Sequence, residues 1–286
     1  MSTPASTPVK VGRVNFFGVV KSEIIKLFTL RSTWWTLAIT AVITIGLGVL
    51  TAYTRRMLAT SPDLVGTDKI PPMAMRASDA VTSPSAIYLA QLIICVLAVL
   101  AITNDYSSGQ IRSTLSAVPT RTPVLVAKAL IIGVVAFVVT FVAWAVAMFA
   151  AWPVLAGFAN GRLALPPGWS VTDDRFTTTT WQTIAGMALA SLLMAVFALA
   201  VGALLRNTAA GIAVVFIVVM LLPGLIGALP WKPAETVSTY MLTSCLQGLY
   251  ATAGAAFGFV KSLWTSILWA LVPAVAAGIL LKKRDA

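Results

Sequence analysis

Residues 181–205 read WQTIAGMALASLLMAVFALAVGALL, twenty-five positions without a charged side chain. Wound as an α-helix at ~1.5 Å per residue, the stretch exceeds the ~30 Å hydrocarbon core of a bilayer. Working outward, five more apolar runs cover about 34–53, 86–103, 123–152, 209–229 and 262–281. They are continuous rather than alternating, which excludes a β-barrel. The expected fold is therefore an all-α polytopic membrane protein with six transmembrane helices. The third run is long for one crossing and is expected to tilt or to extend into water. Pro223 and Pro273 lie inside runs and predict kinks. The 286-residue chain is 59% hydrophobic and only 10% charged, with mean hydropathy +0.93. Soluble domains carry ~25% charged residues, and disordered chains need low hydrophobicity, so both classes are excluded.

The net charge is +11. With the N-terminus taken as cytoplasmic, the inside segments hold twelve Lys and Arg against three acids (Glu23, Asp105, Asp285). The outside segments hold eight bases against six acids, so the net charges are +9 and +2. This asymmetry places both termini in the cytoplasm. Trp152, Trp181, Trp231 and Trp264 then fall at outer ends, and Trp34 and Trp35 at an inner end, where interfacial tryptophan belongs. Topology thus accounts for most of the basic excess. No nucleic-acid-binding module or basic cluster is present, so no nucleic-acid partner is expected.

Residues 1–12 are rich in Ser, Thr and Pro and are expected to be disordered, with no cleavable leader before the first run. Residues 13–33 form an amphipathic segment, with Phe16, Phe17, Val20, Ile24, Leu27 and Phe28 on one face. It is expected to lie in the membrane interface with its bases toward anionic lipid headgroups. Residues 34–286 make one transmembrane domain. Residues 236–260 carry no charge, yet a seventh crossing would put Lys282, Lys283 and Arg284 outside. That stretch is read as re-entrant: two short helices in the outer leaflet, packed through Gly254 and Gly258. The outer loops 54–85 and 153–180 are too short for a typical soluble domain.

Residues 104–128 read NDYSSGQIRSTLSAVPTRTPVLVAK. Asn104 or Asp105 can cap a short helix, with the acid near its positive end. Ile111 and Leu115 give that helix an apolar edge, Arg112 lies on another side, and Pro119 ends it. Arg121 and Pro123 start the next run, and Lys128 is expected to snorkel to the inner interface. The result is a short cytoplasmic helix over 105–117 held between two crossings, a shape that transmits force when a partner grips it.

The pattern Asp-Tyr-x-x-Gly-x-x-Arg-x-x-Leu-x-x-x-Pro-x-Arg, followed seven residues later by Lys, resembles the segment after the second span in permease subunits of type-2 ABC transporters. These are exporters of drugs, antibiotics, lipids and polysaccharides. Ser22-Glu23 with Lys26 and Arg31, before Trp34-Trp35, is similar to that family's N-terminal connecting helix. The resemblance implies that 105–117 is a coupling helix inserting into a groove of a separate ATP-binding subunit, with Asp105, Tyr106, Gly109, Arg112, Leu115, Pro119 and Arg121 matching the motif. It implies that the turn at Arg206-Asn207 approaches the same partner. It further implies a second permease subunit, identical or related, in the plasma membrane.

The chain contains no G-x-x-x-x-G-K-[ST] sequence and no Gly-Lys dipeptide, so ATP and Mg belong to the partner and no enzyme activity is expected here. It has no His, and Cys95 and Cys245 stand alone, so no metal or cofactor site is expected. The spans lack the paired acids or the nucleophile–base sets of membrane enzymes. They also lack midplane charges of the kind that ion-coupled carriers use. Gln91, Thr140, Ser191 and Thr265 are polar residues within apolar runs, read first as helix–helix hydrogen-bonding groups and second as pathway residues for a hydrophobic or amphipathic substrate. An ATP-independent membrane scaffold or regulator, and an ion-gradient carrier, remain as readings from other classes. The topology makes a direct prediction: a cysteine replacing Ala286 is labelled from the cytoplasmic face only, and labelling from outside overturns the six-span count.

Overall fold

The structure, a computed structural model, describes residues 16–61, 74–80, 84–109, 122–166, 168–230, 232–251 and 255–283. Its helices are α1 (Phe16–Thr29), α2 (Arg31–Thr60), α3 (Pro84–Ser107), α4 (Thr122–Ala159) and α5 (Thr178–Leu205). They continue with α6 (Thr208–Gly227), α7 (Lys232–Thr239), α8 (Leu242–Gln247) and α9 (Phe259–Lys283). Six of these, α2 to α6 and α9, contain segments long and apolar enough to cross a membrane. The chain is thus a nearly all-α, multi-pass membrane protein in architecture. Successive crossings alternate, so α1, the turn at Arg206 and the end of α9 share one end of the bundle, called here the α1 end.

α5 is the centre. It is apolar on all sides, as a fully surrounded helix must be, and most of its apolar stretch is buried. Its alanines pack against α3, α4 and α9, and Gly202 lets Val99 and Ile102 of α3 come close. α2 and α4 make the most extensive helix contact. α2 buries Thr40, Thr44, Gly48 and Ala52; α4 buries Ala136, Thr140, Ala143, Ala147 and Ala151. Such small-residue stripes allow close van der Waals packing where lipid removes the hydrophobic drive between helices.

Both helices outrun the hydropathy signal. α2 continues past Tyr53 to Thr60, and α4 continues past Trp152, through Pro153, to Ala159. The extensions meet in a cluster of Ala52, Ala59, Met75, Leu155 and Phe158, closed by Leu163 and Trp169. Over it lies a short parallel ribbon, β1 (Ala74–Arg76) beside β2 (Ser170–Thr172). Ser78 donates both its backbone N–H and its hydroxyl to the Asp174 carboxylate. Arg175 pairs with Asp173 at 2.7 Å and lies over the Trp152 ring at 4.5 Å. Residues 74–80 and 168–175, from the two loops at this end, thus fold together as a cap, and the ribbon is a small addition to a nearly all-α chain.

Two short helices, α7 and α8, lie at the cap end, the first beginning at Lys232, before the stretch 236–260. The glycines that pack it differ from those expected. Gly258 has no neighbour within 4 Å of a would-be Cβ, and Gly254 lies outside the described residues. The close approaches are at Gly186, against the Leu249 carbonyl, and at Gly248, against the Ser262 hydroxyl; a Cβ at either would collide. In α6 the ladder widens to a π turn at Ile217–Leu221, just before Pro223. A π turn at this point absorbs the hydrogen bond that proline cannot donate. Pro273 sits inside α9, which continues through it.

Candidate functional site

α1 ends at Thr29; Leu30 is extended, and α2 begins at Arg31. The Trp34 indole N–H bonds the Phe28 carbonyl at 2.9 Å across this elbow. The α1 face turned to the bundle is narrow: Val19, Glu23 and Leu27, each four residues apart. Phe17, Ile24 and Ile25 point away, 78%, 41% and 53% exposed. The buried stripe therefore carries an acid at its middle.

That acid meets Lys128, one and a half turns into α4. The Lys128 ammonium lies 2.7 Å from Glu23 Oε2 and 2.8 Å from Asp105 Oδ2. It also donates to the Ala101 carbonyl at 3.1 Å. An ammonium has three hydrogens, and three acceptors from two helices other than its own take them. The other Glu23 oxygen accepts from Lys26 at 2.7 Å. Lys128 is buried rather than snorkelled, which corrects the expectation from its place at the start of an apolar run. Two carboxylates were at hand to receive it.

Burial raises the Glu23 pKa, but the charges of Lys128 and Lys26 and their hydrogen bonds outweigh burial and hold it below its ordinary 4.5.

Asp105 and Tyr106 belong to the last turn of α3 rather than to the start of a separate helix. Lys128 fixes Asp105 there, so the expected capping by Asp105 is replaced by a salt bridge. Gly109 follows with φ 71°, and its N–H bonds the Tyr106 carbonyl at 3.3 Å. A left-handed residue just beyond the helix is the usual glycine stop, which gives the glycine of the motif its physical reason. Arg112, Leu115, Pro119 and Arg121, and the rest of the expected helix over 105–117, lie outside the described residues.

The turn between α5 and α6 reaches the same place. Arg206 adopts φ 53° and closes α5, with its N–H on the Gly202 carbonyl at 2.9 Å. Its guanidinium sits 5.2 Å from the Tyr106 ring centre. The Asn207 side chain caps α6 by accepting from the Ala210 N–H at 3.0 Å, and Thr208 and Thr103 hydroxyls are 2.8 Å apart. Three segments therefore converge around residues 103–109: α1 through Glu23, α4 through Lys128, and the α5–α6 turn through Arg206 and Thr208. A cavity of about 330 Å³ beside them is walled by Glu23, Lys26, Asn104, Asp105, Ser108 and Lys128. Arg31 stands exposed at the first residue of α2. The convergence on Lys128 left one trace in the sequence: only three acids occur in the segments expected to be inside, and two of them hold this lysine.

The four polar residues of the spans are not brought together. The hydroxyls of Thr140, Ser191 and Thr265 donate to carbonyls on their own helices, of Ala136, Met187 and Lys261. Gln91 is buried with its amide nitrogen unpartnered. None lines the larger cavity of about 830 Å³ at the cap end, between α4, α5 and the 248–259 loop. Its wall mixes Gln182, Thr183 and Tyr250 with Phe137, Phe257 and Phe259, and among the described residues carries no charge. Among the described residues there is no His, Cys, Asp and Glu cluster fit for a metal ion.

Compared with known proteins, the chain matches no family model and no curated sequence.

Replacing Lys128 by Met leaves two carboxylates facing a buried site, and breaking such a cluster costs about 3–5 kcal/mol. The purified variant is therefore expected to show a clearly lower thermal unfolding midpoint at pH 7, with part recovered by adding Glu23→Gln and Asp105→Asn. Because the folded Glu23 value is depressed, its stabilisation is complete above 4.5 and is lost as the pH falls through the lower folded value. An unchanged midpoint in Lys128→Met contradicts the clamp.

Proposed function

We propose that this chain is the membrane-spanning subunit of an ATP-driven exporter of the type-2 ABC class, working with separate ATP-binding subunits and a second permease subunit in the plasma membrane. The observation that carries the reading is the double salt bridge of Lys128. It joins α1, the segment that resembles a connecting helix, to the Asp105-Tyr106 start of the coupling motif, and the two likenesses are far apart in sequence. A push on 105–117 from a closing ATPase would reach α3 directly, because Asp105, Tyr106 and Ser107 are its last residues. It would then pass to α4 and α1 through charge contacts that cannot be stretched cheaply. Arg206 against Tyr106 adds the α5–α6 turn to the same moving unit.

The uncharged cavity at the cap end, with aromatic and amide groups in its wall, suits a hydrophobic or amphipathic cargo released away from the α1 end. The chain's lack of a phosphate-binding loop leaves ATP and Mg to the partner.

Co-expression with the ATP-binding subunit encoded nearest to it tests the reading. Arg112→Glu, or deletion of 105–117, is expected to reduce co-purification more than roughly ten-fold, because reversing a docking charge costs several kcal/mol. Undiminished pull-down and coupled ATPase activity in both variants would overturn the assignment.

A further inference from the structure

α4 and α9 both lean on α5 without closing on each other, and a groove of about 610 Å³ runs between them. Its two rims are ridges spaced four residues apart: Val126, Leu130 and Val134 on α4, and Leu271, Val275 and Ile279 on α9, each about half exposed. Its floor is made of small residues (Ala129, Gly133, Ala274, Gly278), with Leu192 and Val196 of α5 beneath. Among the described residues, Thr122 is the one polar residue lining it.

The groove follows α4 from Thr122 to Val134, about 18 Å at the helical rise per residue. That is close to half of the ~30 Å hydrocarbon core, or one leaflet. It begins where the crossing begins, at the α1 end. Lys283, exposed, stands one turn beyond Ile279 on the same helix, and Lys282 one turn beyond Gly278. In sequence, Arg121 precedes Thr122 and Arg284 follows Lys283. The groove is therefore apolar along one leaflet's depth, with the exposed Lys283 standing at its headgroup end.

We propose that this groove holds one acyl chain of an anionic phospholipid, with its phosphate headgroup against Lys283, as a bound lipid distinct from the surrounding shell. An apolar channel with a basic residue at the leaflet boundary matches both parts of that molecule. A second copy of the chain would need to bring its own acids to the basic end, whereas an anionic lipid carries the charge with the tail. The assignment does not depend on the transport reading.

The test is native mass spectrometry of the chain released from vesicles of equal parts phosphatidylglycerol and phosphatidylcholine. The wild type is expected to retain one phosphatidylglycerol in preference to phosphatidylcholine. Gly278→Leu fills the groove, since no atom lies within 4 Å of a Cβ at that position, and leucine favours the helix over glycine. This variant should fold with an unchanged melting curve and lose the retained lipid. Lys283→Ala should keep a retained lipid but lower the preference roughly five-fold. Lipid retention in Gly278→Leu equal to the wild type, or no headgroup preference in the wild type, overturns the proposal. So does efficient Val275→Cys crosslinking between two copies, which would seat a second chain in the groove.

Discussion

An ammonium group cannot stay buried at the edge of a membrane without acids to meet it, and the α1 end of this protein is organised by how Lys128 meets that demand. Glu23, Asp105 and the Ala101 carbonyl take its three hydrogens. Removing any one acceptor leaves a desolvated charge short of a partner, so the geometry is held by the cost of breaking it more than by a large net gain from making it. Lys26 on the second Glu23 oxygen brings the four charges to balance. The α1 helix, which otherwise shows phenylalanine and isoleucine outward, is thereby tied to the ends of two crossings.

The opposite end is held by different means. There α2 and α4 run on beyond the apolar stretch together, because each shields the other's small-residue face and the ribbon covers their ends. The contrast gives the molecule a packed cap at one end and an electrostatic junction at the other. Under the proposed function the junction is the part that a partner ATPase would move. A charged cluster suits that role, since it resists separation while its members are drawn from α1, α3 and α4.

The crossings were legible because an apolar run of twenty residues has one stable solution in lipid, and the six expected runs fall on the six long helices. Their lengths were less legible. Hydropathy ends at Tyr53 and Trp152, while the helices continue on tertiary contacts of Ala59, Leu155 and Phe158 that no local pattern announces. The three-residue strands pair across more than ninety residues and carry no alternation long enough to read. Gly109 was legible through its motif, and the left-handed backbone explains it. Gly186 was not, because its reason is a carbonyl of Leu249, sixty-three positions away in the chain. Lys128 was seen but misread. A lysine opening an apolar run snorkels by default, and only the fold brings Glu23 and Asp105 to it.

The distance between α1 and α4 tests the central claim most directly. Spin labels at Ile25 and Val126, both exposed and on the two helices that Lys128 joins, report it by double electron–electron resonance. One narrow distance is expected in the otherwise native chain and a broad distribution after Lys128→Met. A distribution equally narrow in both, or broad in the native chain, would contradict the clamp as the constraint that fixes α1.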